Sequence, residues 1–235
     1  LERHIVAEML AAGREVVSIG QSPAPAYLED FAAPIQTGRL RVLRGGLEAL
    51  KTDPALLEGA CLILLASSSA PASSNLDPRR DVRENLLPTM ELAELAGAHR
   101  VARILYASSG GAVYGNAAEG AIPVETRSRP ESSYGVVKYA MENFLRLYAR
   151  RFGFSHCALR IANPYGPHQL PGQGRGLIAN TIDALRHGRP VTIWGDGSVV
   201  RDYIYAADVA RAFLAAVEAK ALPEVLNLGS GQGQS

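Results

Sequence analysis

Residues 132–138 read SSYGVVK, which sets a phenol and an ammonium group four residues apart behind two serines. On a helix such positions share one face, so Tyr134 and Lys138 would be neighbours. An adjacent cation lowers the pKa of a phenol, because it favours the charged form. Bringing a tyrosine from its ordinary pKa of about 10 to neutrality takes roughly 4 kcal/mol of differential stabilisation. A phenol tuned in that way can exchange protons with a bound alcohol. The plainer reading is an amphipathic helix face, and the surrounding elements decide between the two.

Strand and helix patterns alternate along the chain. HIVAEMLAAG repeats apolar residues at helical spacing and stops at Gly13, a C-cap; EVVSI and LRVLR then read as buried strands, and a short helical piece surrounds DPALLEG. ACLILLA is a near-continuous apolar run, as a strand covered on both faces requires. A polar loop, SSSAPASSNLDP, leads to a helix over about 81–98. VARILYAS is the next strand, the helix 132–152 follows a glycine-rich loop, and SHCALRIA is a strand again. This order predicts an α/β fold, a parallel sheet with helices on both faces.

After Asn163 the texture changes to the Pro- and Gly-rich NPYGPHQLPGQGRG, then a helix near LIANTIDALRHG. Two short strands in VTIWGDGSVVRDYIY, the helix AADVARAFLAAVEA and a last strand, VLNLGS, complete the chain. Residues 1–162 are therefore expected to form the main domain. Residues 163–235 form part of a smaller lobe over the sheet's carboxyl edge, with part of 203–235 returning to the first domain. That edge is where open α/β sheets bind ligands. A dinucleotide-binding sheet opens with a strand and a glycine-rich turn, and this sequence opens within the helix that would follow them. The glycines at 172–176 follow a loop, not a strand, and are no substitute.

Composition narrows the function classes. The 235 residues are 47% hydrophobic with a formal net charge of +1, which gives no electrostatic case for a nucleic-acid partner. Cys61 and Cys157 sit in separate apolar runs and read as buried thiols, and the five histidines show no metal-ligand spacing, so no metal is expected. The longest apolar run, CLILLA, is too short to cross a bilayer. A soluble protein of the reducing cytoplasm, without a membrane partner, is the expectation. The sequence opens at Leu1 and not at a methionine, which leaves room for a removed targeting segment.

Four motifs stand in order: YASSGGAVYG (106–115), SSYGVVK (132–138), LRIANPYGP (159–167) and IWGDGSVVRDYIY (193–205). Together they resemble the extended short-chain dehydrogenase/reductase family, in its NAD-dependent epimerase/dehydratase branch, with UDP-glucose 4-epimerase-like proteins nearest. The resemblance implies a Rossmann-like, doubly wound parallel sheet with a smaller, incomplete substrate-binding lobe. It also implies a nicotinamide cofactor, NAD with NADP permitted, and a UDP-sugar or other nucleotide-sugar substrate. The reaction implied is C4 epimerisation of a UDP-hexose by transient oxidation. A 4,6-dehydratase, decarboxylase or reductase on the same scaffold is the rival reading, and a non-catalytic dinucleotide sensor is the rival outside enzymes. Family dimers form through a four-helix bundle, for which helices 81–98 and 131–152 would serve.

The same resemblance assigns Tyr134 as the proton-transfer group and Lys138 as its partner and a holder of the nicotinamide ribose. The hydroxyl that completes such a site falls, counting back from VYG, on Gly110; Ser109 is expected to act in its stead, with Ser108 as the alternative. The family's dehydratases carry an Asp-Glu pair there, because elimination needs a further acid and base. Here the stretch is Gly110, Gly111 and Ala112, which favours epimerisation.

Cofactor contacts are assigned to Gly20, Gln21, Ser22, Leu65, Ala66, Ser67, Asn85, Ala107, Ser108 and Ala162, besides Tyr134 and Lys138. Gly20 replaces the acidic residue that commonly binds the adenosine ribose, Gly46 replaces an acid near the adenine, and Leu64 stands where histidine is frequent. Loss of the first carboxylate removes repulsion against a 2′-phosphate, yet no arginine stands near to bind one. On the substrate side the resemblance assigns Asn163 and Arg201 to the diphosphate, a task suited to a guanidinium fork. Trp194 falls where the nucleotide base is enclosed, with a core role in the small lobe as the alternative.

Overall fold

A computed structural model describes residues 1–21, 24–69, 71–116, 120–172, 176–191 and 195–235, with the side chain of Ala72 also left aside. Its strands are β1 (Val16–Gly20), β2 (Leu40–Arg44), β3 (Cys61–Leu64), β4 (Arg103–Ser109), β5 (Ser155–Ile161), β6 (Asn163–Tyr165), β7 (Arg201–Tyr205), β8 (Val225–Leu228) and β9 (Gly233–Gln234). Its helices are α1 (Glu2–Ala11), α2 (Pro25–Asp30), α3 (Ala32–Gln36), α4 (Leu47–Thr52), α5 (Pro71–Ser74), α6 (Pro78–Asp81), α7 (Leu87–Ala98), α8 (Gly110–Val113), α9 (Ser133–Phe152), α10 (Leu177–Arg186) and α11 (Ala206–Glu218).

The apolar runs become parallel strands in the order β3-β4-β5-β8, with a separate parallel pair β1-β2. The fold is α/β and Rossmann-like. The sequence predicts one continuous sheet, whereas no ladder joins β1 to β3 among the described residues. β8 pairs with β5 in the register Ala158↔Val225, so the strand expected at VLNLGS lies in the central sheet. A third, small sheet holds β6 and β7 in parallel, with β9 antiparallel to β7. The strand expected around VTIW includes residues 192–194, which lie outside the described residues.

Alternation along β4 builds two cores. Ile104 and Tyr106 pack with Ala93 and Ala96 of α7 and with Met141, Leu145 and Tyr148 of α9. Leu105 and Ala107 face the other way, against Ile5 and Met9 of α1 and Val209 and Phe213 of α11. Successive strand residues point to opposite faces, so a strand apolar at every position needs helices on both sides.

The helix expected over 81–98 proves to be composite. Between α6 and α7, residues Val82–Leu86 form a π-helical turn. Pro88 has no N–H to give the Glu84 carbonyl, and a widened turn accommodates that missing bond. By contrast α9 matches its sequence signals. The Ser132 hydroxyl accepts from the Gly135 N–H at 3.1 Å, and Gly153 closes the helix at φ 81°. The buried stripe of α9 runs through Val137, Lys138, Met141, Glu142, Leu145 and Tyr148, so two charged residues lie on its core face.

Candidate active site at the carboxyl edge of the sheet

Tyr134 lies in the first turn of α9, and the loop ahead of the helix is tied down from outside. The Tyr134 N–H donates to the Ser74 hydroxyl at 3.1 Å and the Ser133 N–H donates to Asn75 Oδ1 at 2.7 Å. Gly135 permits the close approach that follows: a Cβ there would stand 2.4 Å from the Ala112 carbonyl oxygen. Only a residue without a side chain lets the start of α9 press against α8.

One turn on, Lys138 is 4% exposed. Its Nζ donates to the Ala107 carbonyl at 2.8 Å. The same ammonium lies 4.9 Å from the Tyr106 ring centroid and 5.5 Å from that of Tyr134. A cation placed against ring faces in a dry setting interacts far more strongly than in water. The two phenols differ in setting. Burial, then the neighbouring Tyr134, Glu142 and Asp81, holds the Tyr106 hydroxyl well above its ordinary pKa, so Tyr106 stays protonated.

The end of β4 supplies Ala107, Ser108 and Ser109. The buried Ser108 hydroxyl donates to Glu142 Oε1 at 2.5 Å. Ser109, the last strand residue, is half-buried and extended at φ −135° and ψ 111°. Alternation turns its side chain to the face opposite Ser108, so a contact between Ser109 and a ligand held near Tyr134 has to pass over the strand's end. Gly110 follows, and a Cβ on it would sit 3.2 Å from the Arg160 carbonyl.

The remaining predicted positions spread along the same edge. Gly20 ends β1, its carbonyl accepts from the Gly45 N–H at 3.1 Å, and the space where its Cβ would project is open. Gln21 is exposed, and its amide occupies the room that a Gly46 side chain would need. After β3, Leu65 packs on the α1–α11 core, Ala66 is exposed and Ser67 donates weakly to the Ser69 carbonyl at 3.4 Å. Asn85 is buried; its Oδ1 accepts from the Ser68 N–H at 2.8 Å and its amide donates to Asp81 at 2.8 Å. Asn85 thus braces the loop after β3 through its backbone. Ala162 donates its N–H to the Leu228 carbonyl.

In the small sheet, the Asn163 amide donates to the Asp202 carbonyl at 3.0 Å. Arg201 is exposed and its guanidinium donates to the Val200 carbonyl. The Asp202 carboxylate accepts from the Ser230 and Gly231 N–H groups. Ser22 and Trp194 lie outside the described residues. A cavity of about 680 Å³ opens beside Tyr165, Tyr203, Tyr205 and Ser230 but does not include Tyr134 or Lys138. The polar bonding around Lys138 lies outside that cavity.

Sequence reasoning passed over Glu142, Arg160 and Tyr106. The signals were present: an acid one turn after Lys138 on the buried stripe, and an arginine inside the apolar strand CALRIA. No cluster of three metal-ligating side chains occurs among the described residues, and no described helix is long and apolar enough to cross a membrane.

A model of the NAD dependent epimerase/dehydratase family matches residues 3–229. A putative UDP-glucose 4-epimerase of Methanocaldococcus jannaschii is 37% identical over 161 residues, covering 68% of this chain and 52% of that protein. The crystal structure of UDP-glucose 4-epimerase with UDP-glucose from Thermotoga maritima is similar at TM-score 0.85 and 31% identity, over 99% of this chain and 74% of that one. UDP-glucose 4-epimerase of Thermus thermophilus, solved in complex with NAD, gives 0.86 and 30%, over 99% and 75%. The chain spans about half the length of the curated relatives it matches.

Proposed function

The chain belongs to the NAD dependent epimerase/dehydratase family, and on that premise we propose that it serves a nucleotide-sugar epimerase that interconverts UDP-hexoses at C4. The observation that carries this reading is the desolvated Lys138 ammonium, held by the Ala107 carbonyl between the Tyr106 and Tyr134 rings. In this reading Tyr134 takes the proton of the sugar 4-hydroxyl and returns it to the epimerised alcohol. Lys138 keeps the phenolate form accessible by its charge. A bound nicotinamide dinucleotide, NAD with NADP permitted, supplies the reversible hydride acceptor that makes the oxidation transient.

The residues present suit that cofactor at the sheet edge. Gly20 leaves open space at the end of β1, and Ala66 and Ala107 keep the neighbouring strand ends small. Gly20, Gln21, Ser67, Asn85 and Ala162 would line it, with Lys138 near the nicotinamide ribose. Ser109 is proposed as the hydroxyl on the sugar oxygen, because Ser108 is committed to Glu142. Asn163 and Arg201 are proposed to bind the diphosphate.

Elimination is disfavoured on the same geometry. The stretch Gly110–Ala112 carries no acid, and the space at Gly110 is already tight against the Arg160 carbonyl. Residues 1–162 would hold the cofactor and the β6–β7 region the nucleotide sugar, with β8 contributed to the cofactor sheet. A second copy packing on the face of α7 and α9 that exposes Leu87, Val136 and Leu147 belongs to the proposal, as does a cytoplasmic setting for the free thiols.

Incubation of the full-length protein with UDP-galactose tests the reading: UDP-glucose should appear without added reductant. Tyr134→Phe should remove most of that activity, at least ~100-fold for a proton-transfer group. Absence of interconversion for every UDP-hexose pair tried would remove the epimerase assignment.

A further inference from the structure

A second charged pair lies directly behind the proposed proton-transfer group. Glu142 and Arg160 have side chains only 4% and 5% exposed. Arg160 forks onto the carboxylate, with Nη2 to Oε2 at 2.7 Å and Nε to Oε1 at 3.1 Å, while Oε1 also takes the Ser108 hydroxyl at 2.5 Å. Burial opposes the Arg160 charge, yet the bonds to Glu142 outweigh it and the guanidinium pKa is raised. Arg160 further reaches the Val124 carbonyl and the Ser128 hydroxyl, and stacks 4.7 Å from the Tyr114 ring centroid. A buried ion pair of this kind gives little net stability over well-packed apolar residues. Its arrangement points elsewhere.

Lys138 and Glu142 are one turn apart on α9, and Ala107 and Ser108 are consecutive on β4. Two rungs join helix to strand: Lys138 Nζ to the Ala107 carbonyl, and the Ser108 hydroxyl to Glu142. The Ala107 carbonyl belongs to the same peptide unit as the Ser108 nitrogen. Pinning Ser108 therefore fixes the plane of the carbonyl that receives Lys138. We propose that Glu142 is a positioning residue for the Tyr134–Lys138 pair, acting through the Ala107–Ser108 peptide, with Arg160 holding the carboxylate in place. The proposal rests on the reading of Tyr134 and Lys138 as the proton-transfer pair, and Glu142 touches no reacting atom.

Other charges face this carboxylate. Besides Arg160 from β5 and Lys138 from its own helix, Arg146, His156 and Glu224 line a cavity of about 120 Å³ that reaches Glu142 and Arg160. Tyr106 and Tyr114 approach from β4 and the end of α8. Removing the Glu142 charge while leaving Lys138 in place would draw the Tyr134 phenol toward lower pKa, because an anion is lost. Releasing Lys138 from its rung would raise it, because a cation moves away. The two roles thus predict opposite signs.

The experiment is an ultraviolet tyrosinate titration of the full-length protein and of Glu142→Leu, which removes the acceptor of the Ser108 hydroxyl, each read against the matching Tyr134→Phe variant. A rise of the Tyr134 midpoint by about one pH unit is expected in Glu142→Leu. With UDP-galactose, kcat should fall ~10-fold with KM within ~2-fold, as for loss of alignment and not of binding. A midpoint that falls or stays put overturns the proposal. Should Glu142→Leu fail to fold, Ser108→Ala removes the rung and leaves the ion pair; the same rise is expected, and no change overturns it. The titration needs no sugar, so a protein that turns over no UDP-hexose yet shows the rise would keep this inference while the proposed reaction fell.

Discussion

Lys138 Nζ and the Ala107 carbonyl oxygen are 2.8 Å apart, and that bond ties the core face of α9 to the end of β4. The ammonium is thereby kept out of water and aimed at the sheet's carboxyl edge. A lysine on a solvated helix face would have neither property, and its influence on a neighbouring phenol would be screened by water. The Tyr106 ring on its other side closes the cage.

The approach of α9 to α8 depends on Gly135. A methyl group there would meet the Ala112 carbonyl at 2.4 Å and the Pro130 Cβ at 3.0 Å. Gly135→Ala should therefore destabilise the protein by ~1–3 kcal/mol, the usual range for an overpacked site, although alanine is the better helix former. Urea unfolding measures it. Equal or greater stability in the variant would show that the helix start moves freely, contrary to this account.

On the proposed cofactor placement, Gly20 is where selectivity could be altered without crowding, since its Cβ direction is open. Introduction of a carboxylate, Gly20→Asp, should weaken NADP relative to NAD by ~10-fold or more, because the acid repels a 2′-phosphate and accepts from the ribose hydroxyls. Equilibrium binding of both dinucleotides gives the ratio. An unchanged ratio would place the adenosine ribose away from β1.

Burial raises the Cys61 and Cys157 thiols to about 11 from their ordinary value of 9.0, against a smaller opposing influence of Arg103. At pH 8 about 1 in 1,000 of such thiols is ionised, so alkylation of the folded protein should be slow and should accelerate steadily with pH. The sign for stability follows. The unfolded thiols ionise first, so this contribution is intact below about pH 9 and is lost as pH rises toward 11. Fast labelling of native protein at neutral pH would contradict the burial.

Much of the architecture was legible because local signals and the global pattern agree. ACLILLA and SHCALRIA read as strands, the first with the apolar run of one covered on both faces, and Ser132 with Gly153 bounded α9 by capping chemistry. Where a local rule was broken, the reading slipped. Pro88 inside an apparently uniform helix gave the π-turn that carries Asn85, and a continuous helix over 81–98 overlooked it.

Tyr134 and Lys138 could be paired from sequence, since helical spacing is a property of the chain itself. Which hydroxyl at the end of β4 is left to a ligand is not such a property. Ser108 and Ser109 are adjacent and chemically identical, and only the packing of Glu142 from a helix 34 residues away commits the first of them. The same holds for Arg160, whose charge in an apolar strand is intelligible only once its partner is in place. Periodicity and capping act between near neighbours, so one dimension records them. Desolvation and ion pairing depend on what distant segments bring together, and the tertiary structure alone decides those.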